Sequence, residues 1–228
     1  MEGIFVVCGL PALVLLLFFY LQDKYAPEPL RLIVVCAIFG AFLNWPVALL
    51  QHFCKGILGD LGEVSSWHVL SYTFFAAALV EEGLIFFVIR FLPYRSRHFN
   101  EPFDGIIYAV AVAVGFASTE NLVSLLVNGL DAGLWRSVLT VPMHVLTAAC
   151  MGFFLGKAKA ARSLGEDRPF LWIGFLLALV FHGTGEFLIL TEMIPTAAIS
   201  LPLIGLLWAL VFVYIRGSQV RSPFRNGG

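Results

Sequence analysis

The sequence WHVLSYTFFAAALVEEGLIFFVIRFL occupies residues 67–92 and decides the class of fold. This stretch contains only three charged side chains, those of Glu81, Glu82 and Arg90. A helix of about 20 mostly apolar residues is long enough to cross a bilayer, so the stretch predicts a transmembrane helix. Arg90 lies near its end, whereas the two glutamates lie inside it. An ionisable group costs several kcal/mol in hydrocarbon and therefore indicates function.

Apolar runs on both sides of this stretch bring the number of predicted membrane helices to seven. They cover residues 3–21, 32–50, 67–92, 106–127, 138–155, 170–190 and 194–215. Hydrophobic residues make up 60% of the 228 residues and charged residues 13%, which is about half the charged fraction of soluble domains. This composition excludes a disordered chain, an ordinary cytosolic enzyme and a nucleic-acid binder with a basic face. We predict an all-α, polytopic membrane bundle that forms one domain over residues 1–228.

The distribution of lysine and arginine predicts the orientation of the bundle. With seven helices, 12 of the 14 basic residues fall on one side of the membrane and 2 on the other. Basic loops remain in the cytoplasm, so the N-terminus is predicted to lie outside and the C-terminus inside. Residues 216–228 then form a short basic cytoplasmic tail.

Polar side chains are predicted to lie within the hydrocarbon on four of the helices. They are Glu81, Glu82, Glu120, Asn121, His144, His182 and Glu186. At about 1.5 Å per residue, all of them fall in the middle and outer half of the bilayer, which predicts one shared cavity open to the outside. His182 and Glu186 share a helix face because they are four residues apart. We interpret Gly115, Gly183 and Gly185 as helix-packing positions.

The residue types in this set restrict the chemistry. All five aspartates lie in loops or at helix ends, all four lysines lie in loops, and no HExxH or GxSxG motif occurs. These absences argue against an aspartyl protease with a pair of aspartates, a retinal protein with a lysine Schiff base, a zinc protease with a HExxH motif and a hydrolase with a GxSxG nucleophile. Glutamate and histidine suit the activation of water for hydrolysis of an amide bond. Glu81 or Glu82 would be the base, with His144 and His182 as partners. Glu120 belongs to the same catalytic set, and Asn121 and Glu186 would bind the substrate or its oxyanion.

The same residues also suit a metal site. Two histidines and one carboxylate form the ligand set of several catalytic zinc sites. Here a divalent metal such as zinc would be bound by His144, His182 and either Glu120 or Glu82. Both arrangements remain open at this point, since either would activate water.

A series of motifs, in order along the chain, resembles the PrsW family of intramembrane proteases, within the wider group of CAAX prenyl proteases and bacteriocin-processing enzymes. The motifs are DKY at 23–25, EPL at 28–30, the double glutamate at 81–82, EPFDG at 101–105, FxxxEN ending at 120–121, His144 with MG at 151–152, and HG at 182–183. The resemblance covers most of the chain. It implies peptide-bond hydrolysis in or near the plasma membrane of a bacterium or archaeon. The family's best-known role is the first cut of a membrane-bound anti-sigma factor on its extracytoplasmic side.

Two positions depart from the family pattern. Ile85 stands where the EExxK motif has lysine, and Glu186 replaces the aspartate of HxxxD. These departures favour, as an alternative, a catalytically silent scaffold that binds membrane partners. A proton-coupled transporter is a second alternative, because glutamate and histidine also relay protons. For the protease, the expected partners are a membrane-anchored protein substrate of the anti-sigma-factor kind and the lipid bilayer, with no nucleic acid.

Overall fold

The computed structural model describes residues 2–58, 66–191 and 196–225, and within these ranges it contains helices and no β-strand. The α-helices are α1 (Glu2–Gln22), α2 (Leu30–Phe42), α3 (Asn44–Leu58), α4 (Ser66–Ser71), α5 (Leu79–Phe91), α6 (Asp104–Asn128), α7 (Leu130–Ala161), α8 (Asp167–Leu190) and α9 (Thr196–Val220). A π-helical segment, Tyr72–Ala78, joins α4 to α5, and short 3₁₀ turns follow α5 and α7.

These helices form seven stretches that follow the predicted runs in order, because α2 leads directly into α3 and α4 leads through the π segment into α5. Among the described residues, five stretches are long and apolar enough to cross a membrane. They are Leu30–Leu58, Asp104–Asn128, Ser137–Leu164, Asp167–Leu190 and Ser200–Val220. A shorter apolar helix covers Gly9–Gln22. The predicted all-α, polytopic membrane bundle is therefore confirmed.

Several helices extend beyond the predicted runs. α3 continues to Leu58, into a region predicted as a loop, and α7 begins at Leu130. An apolar run ends where the hydrocarbon ends, whereas a helix continues until a residue breaks it. Between α6 and α7 that residue is Gly129, whose φ of 89° favours glycine. At the C-terminus, α9 reaches Val220, so the first part of the predicted tail is helical. The predicted connection at 191–193 lies largely outside the described residues.

The break between α2 and α3 has a local cause. Pro46 has no N–H to donate to the carbonyl four residues earlier, that of Phe42, and its ring crowds that carbonyl. Helix α2 accordingly ends at Phe42, and the chain becomes helical again at Asn44. The Asn44 Nδ2 atom donates to the Phe116 carbonyl at 2.9 Å, which ties the start of α3 to α6.

Helices α6 and α7 form the centre of the bundle and approach each other closely. α6 also packs against α1 and α2, and α7 against α8 and α9. A Cβ on Gly105 would overlap the Gly152 carbonyl of α7, and a Cβ on Gly115 would overlap the Ala37 carbonyl of α2. Small residues therefore let these backbones meet, and the packing role predicted for Gly115 is confirmed.

Gly152→Ala is expected to lower the free energy of unfolding by about 1–3 kcal/mol or more. Its new Cβ would meet the Gly105 carbonyl, which is backbone and has no rotamer into which to move. Gly205→Ala in α9 is the matched control, since a Cβ there meets nothing within 4 Å. Thermal unfolding in detergent should show a clear drop in Tm for the first variant only. Equal Tm values would contradict the packing described.

Four buried carboxyl groups meet where the α1–α2 connection, the start of α6 and the end of α9 come together. They belong to Asp23, Glu28, Glu101 and Asp104. Asp23 is in hydrogen-bonding contact with Glu101, and Glu28 with Asp104, so each pair requires a shared proton. The Tyr108 hydroxyl donates to Glu28, and the Ser222 hydroxyl donates to Glu101. The cluster therefore joins three distant parts of the chain at one end of the bundle, through the motifs at 23–30 and 101–105.

This cluster predicts a pH dependence of stability. Burial, with the nearby Glu101 and Glu28 carboxylates, raises the pKa of Asp23 from 3.8 to about 7, although the hydrogen bond from the Glu28 backbone N–H acts to lower it. The folded chain therefore keeps a proton that the unfolded chain loses near pH 4. The free energy of unfolding should fall as pH rises from about 4 to about 7, by at most about 1.4 kcal/mol per pH unit from this group.

Asp23→Asn copies the neutral carboxyl group and should flatten that dependence between pH 5 and pH 8. Thermal unfolding at both pH values measures it, with Glu166→Gln, at an exposed position, as the control. If wild type and Asp23→Asn lose the same stability over this range, the shared proton does not lie at Asp23.

Candidate active site

The predicted polar residues come from four helices and converge in the bundle. Glu81 and Glu82 lie in the first turn of α5, Glu120 and Asn121 on α6, His144 on α7, and His182 and Glu186 on α8. The imidazole rings of His144 and His182 have their centroids 4.8 Å apart and their planes at 85°. Both histidines are buried, so two rings from different helices face each other inside the protein.

Local backbone features bring these side chains together. The π segment Tyr72–Ala78 ends three residues before Glu81, and its wider turns change the face that α5 presents. On α8, Gly183 follows His182 and leaves room for the Phe74 ring, from which a Cβ would be 2.8 Å away. Since Phe74 belongs to the π segment, this glycine lets α8 approach it and brings His182 to the glutamates.

Glu81, His144 and His182 form a group that fits a metal ion. Each offers one ligand atom, and these atoms lie within 4.8 Å of one another. Among the described residues, Glu81 Oε2, His144 Nδ1 and His182 Nε2 have no hydrogen-bond partner. Buried polar atoms rarely lack one, and two histidines with one carboxylate are the ligands of several catalytic zinc sites. The residues present therefore fit a divalent metal such as zinc.

The carboxylate in this group differs from the predicted third ligand, which was Glu120 or Glu82. Glu82 Oε1 lies 2.8 Å from His182 Nδ1, and Glu120 Oε2 lies 3.0 Å from His144 Nε2. Each of these two carboxylates is thus engaged with one histidine. Glu81 is the carboxylate within reach of both rings, because consecutive residues on a helix point about 100° apart.

Two neighbouring side chains orient the ligands. The buried Glu82 carboxylate accepts a hydrogen bond from His182 Nδ1, which leaves Nε2 facing Glu81 Oε2 at 3.5 Å. Gln51 Nε2, from α3, donates to Glu81 Oε1 at 2.8 Å and so leaves Oε2 for the histidines. Contacts of this kind fix the tautomer and direction of metal ligands.

A cavity of about 480 Å³ opens beside the group, between α3, α5 and α6. Its walls include Gln51, Glu81 and Glu120. The Glu120 side chain is 25% exposed, so its carboxylate reaches the cavity, whereas Glu82 and Asn121 do not line it. A peptide bond that entered this cavity would meet the carboxylates of Glu81 and Glu120.

Asn121 and Glu186 have other surroundings. Asn121 Nδ2 donates to the Ser137 hydroxyl at 2.6 Å, so the amide predicted to hold the oxyanion joins α6 to α7. Glu186 is half-buried one turn beyond His182 on the same face of α8. It therefore adds a carboxyl group beside the proposed ligands.

Gln51 is the contact residue that sequence reasoning missed. The second apolar run ends at residue 50, which leaves Gln51 at the edge of a predicted loop. The spacing of Asn44, Ala48 and Gln51 puts them on one helix face with an amide at each end. A neutral amide near a helix end has many ordinary roles, so this spacing alone does not identify Gln51 as a site residue.

Comparison with known proteins gives consistent matches along the chain. A family profile described as "PrsW family intramembrane metalloprotease" matches residues 28–215. A protein named Protease PrsW from Geobacillus kaustophilus is 37% identical over 199 residues, which cover 87% of this chain and 85% of the relative. Its namesake from Oceanobacillus iheyensis is 34% identical over 206 residues, covering 90% and 91%. That from Bacillus subtilis is 30% identical over 198 residues, covering 87% of both chains. No solved structure matches significantly.

Proposed function

Because the chain belongs to the PrsW family of intramembrane metalloproteases, we propose that it cuts a membrane-anchored protein near the extracytoplasmic face of the plasma membrane. Family membership makes the chain a multi-pass intramembrane peptidase. The proposal adds the side of the cut and the class of substrate, a single-pass protein of the anti-sigma-factor kind.

The group of Glu81, His144 and His182 carries the proposal, because one of its members, Glu81, lines the cavity. These three residues would hold a divalent metal such as zinc, which would supply Lewis acidity toward a peptide carbonyl when bound. Glu120 faces the cavity and takes the proton of the attacking water, which it then gives to the leaving amine. Glu82 keeps His182 in orientation through its Nδ1 atom. Glu120 thus replaces Glu81 or Glu82 as our candidate for the base.

The predicted orientation supports a cut on the outer side. Glu120 and His182 lie on α6 and α8, whose ends at Asn128 and Leu190 are the outer ends in that orientation. Each residue is eight positions before that end, which corresponds to about 12 Å of helix. By this measure His182 and Glu120 are nearer to the outer surface than to the inner one.

The two departures from the family pattern leave the ligand group intact. Ile85 is 1% exposed and packs in the hydrophobic core. Glu186 keeps a carboxylate close enough to act on His182. Since neither position removes a ligand, an active enzyme is favoured over a silent scaffold.

Reconstitution tests the proposal. The purified full-length protein is placed in vesicles with a panel of single-pass proteins that share a Leu/Ala membrane segment of about 20 residues. The panel members differ only in the residues at the outer end of that segment, which are alanine, leucine, lysine or aspartate. Wild type should cut at least one member near its outer end, and Glu81→Gln should cut none. Partner binding without any cleavage would identify a scaffold instead, and proton flux abolished by Glu81→Gln would identify a transporter.

A further inference from the structure

The cavity beside the candidate site is a groove that opens to the lipid between α3 and α6. Its rim is formed by apolar side chains, among them Phe42, Trp45 and Val123, which are 72%, 79% and 51% exposed. On a membrane bundle, apolar side chains with this exposure face lipid. The groove therefore connects the bilayer sideways with the carboxylates of Glu81 and Glu120.

One end of the groove is closed by a hydrogen bond between helices. The Asn44 amide donates to the Phe116 carbonyl at 2.9 Å and bridges α3 and α6 there. Ala48 and Gln51 follow on the same face of α3, and both line the groove. The small side chain of Ala48 leaves space between Asn44 and Gln51, so that the groove continues from the bridge to Glu81.

The wall also carries polar groups with remaining hydrogen-bonding capacity. Gln51 uses one N–H of its amide on Glu81, and an amide has a second N–H and a carbonyl oxygen. The Thr119 hydroxyl donates to the Gly115 carbonyl at 3.1 Å, and a hydroxyl that donates still has its acceptor lone pairs. Gln51 therefore offers a donor and an acceptor on one side of the groove, and Thr119 offers an acceptor on the other.

We propose that this groove binds a short extended segment at the outer end of the substrate's transmembrane helix and presents its peptide bond to Glu81 and Glu120. The inference rests on the proposed function and specifies its substrate site. An intact helix is unsuitable, because its carbonyls are bonded within the helix. A segment that unwinds in the membrane must find partners for its freed N–H and C=O groups, and Gln51 and Thr119 supply them.

The residues that line the groove also determine which side chains the bound segment can carry. Within the part of the chain that the structure describes, the lining contains the two carboxylates of Glu81 and Glu120 and neither lysine nor arginine. The remaining walls are apolar or neutral, with small residues at Ala41 and Ala48. An acidic side chain would be repelled at short range in a poorly screened environment. The groove should therefore accept a neutral, small apolar segment and reject one that carries aspartate.

A second lipid-facing groove provides a matched comparison. It lies between α5 and α8, has a volume of about 390 Å³, and is lined by Phe86, Arg90, Arg168 and Trp172 among others. None of the carboxylates of the candidate site lines it. The two grooves are similar in size and apolar character, but only the first leads to the ligand group.

Photo-crosslinking distinguishes the two grooves. A benzophenone amino acid replaces either Trp45 or Trp172, exposed tryptophans at the two grooves, in full-length protein that carries His182→Ala. This variant leaves both groove carboxylates in place, and bound panel members stay uncut. The probe at position 45 should capture the alanine- and leucine-ended members and capture the aspartate-ended member far less. Equal or greater capture at position 172, or equal capture of all members at position 45, would overturn the assignment.

Filling the groove gives a second test with a different readout. Ala48→Trp should lower kcat/KM about 10- to 100-fold, as expected when the peptide bond is displaced by about 1 Å. Metal content should not change, because Ala48 is not a ligand. Leu171→Trp, which fills the other groove, should leave kcat/KM unchanged. Equal effects of the two variants would overturn the inference. Absence of cleavage by wild type would overturn the proposed function, while crosslinking would still report on the groove.

Discussion

Glu120→Gln is expected to slow cleavage of a membrane-anchored substrate by about 10²- to 10⁴-fold, the usual contribution of a general acid–base group. The amide keeps the size of the side chain and loses the ability to take a proton from water. Metal content measured with added zinc should remain at the wild-type level, because Glu120 is not in the group of Glu81, His144 and His182. The amide oxygen of the variant can still accept a hydrogen bond from His144 Nε2, which lies 3.0 Å from Glu120 Oε2. Initial cleavage rates in vesicles and metal analysis of the same preparation measure both quantities.

Ser124→Ala, one turn further along α6, is the control for this substitution. Its hydroxyl accepts a hydrogen bond from Asn128 at an exposed position, so cleavage should be unaffected. Wild-type rates in Glu120→Gln would exclude Glu120 as the base. Loss of the metal together with activity would instead make Glu120 a ligand.

Glu82→Gln is expected to weaken metal binding about 10- to 100-fold and to reduce cleavage accordingly. The Glu82 carboxylate accepts the hydrogen bond of His182 Nδ1 at 2.8 Å and is itself fully buried. A neutral amide supports the imidazole less well, so Nε2 becomes a poorer ligand. Competition with a chelator measures the affinity, and added zinc should restore cleavage in this variant.

The same addition of zinc separates the two glutamates. Added zinc should restore cleavage by Glu82→Gln, because this variant is defective in metal affinity. It should not restore cleavage by Glu120→Gln, because this variant is defective in proton transfer. If zinc restores neither variant although the metal is bound in both, Glu82 does more than hold His182. Restoration of Glu120→Gln would contradict the role assigned to that residue.

Much of the fold could be predicted from the sequence, because the bilayer imposes length and apolarity on each helix. The order of the seven stretches follows from that constraint alone. The ends of the helices could not be predicted in this way. Helix α3 continues to Leu58 and α7 already begins at Leu130, so both include residues outside the predicted apolar runs. The carboxyl cluster around Asp23 was also not predicted, because it depends on contacts between segments that are far apart in sequence.

The residues that form the site could be predicted, whereas the contacts between their side chains could not. Buried glutamate and histidine are conspicuous in apolar helices because of their cost. Either Glu81 or Glu82 could face the two histidines. The preceding π segment sets the helix face and so determines which one does, and hydropathy gives no information about helix rotation. Asn121 was expected in the cavity and instead donates to Ser137. Gln51 was missed because an amide costs less in the membrane than a charge.

Metal analysis by mass spectrometry, on the detergent-purified full-length protein and on His144→Ala and His182→Ala, tests the ligand group itself. We expect one zinc per wild-type chain and a loss of that zinc in both variants, because each histidine offers a ligand atom to the same group as Glu81. An actively cleaving wild-type preparation without stoichiometric metal would contradict the metal site. It would leave the glutamates and histidines to activate water on their own.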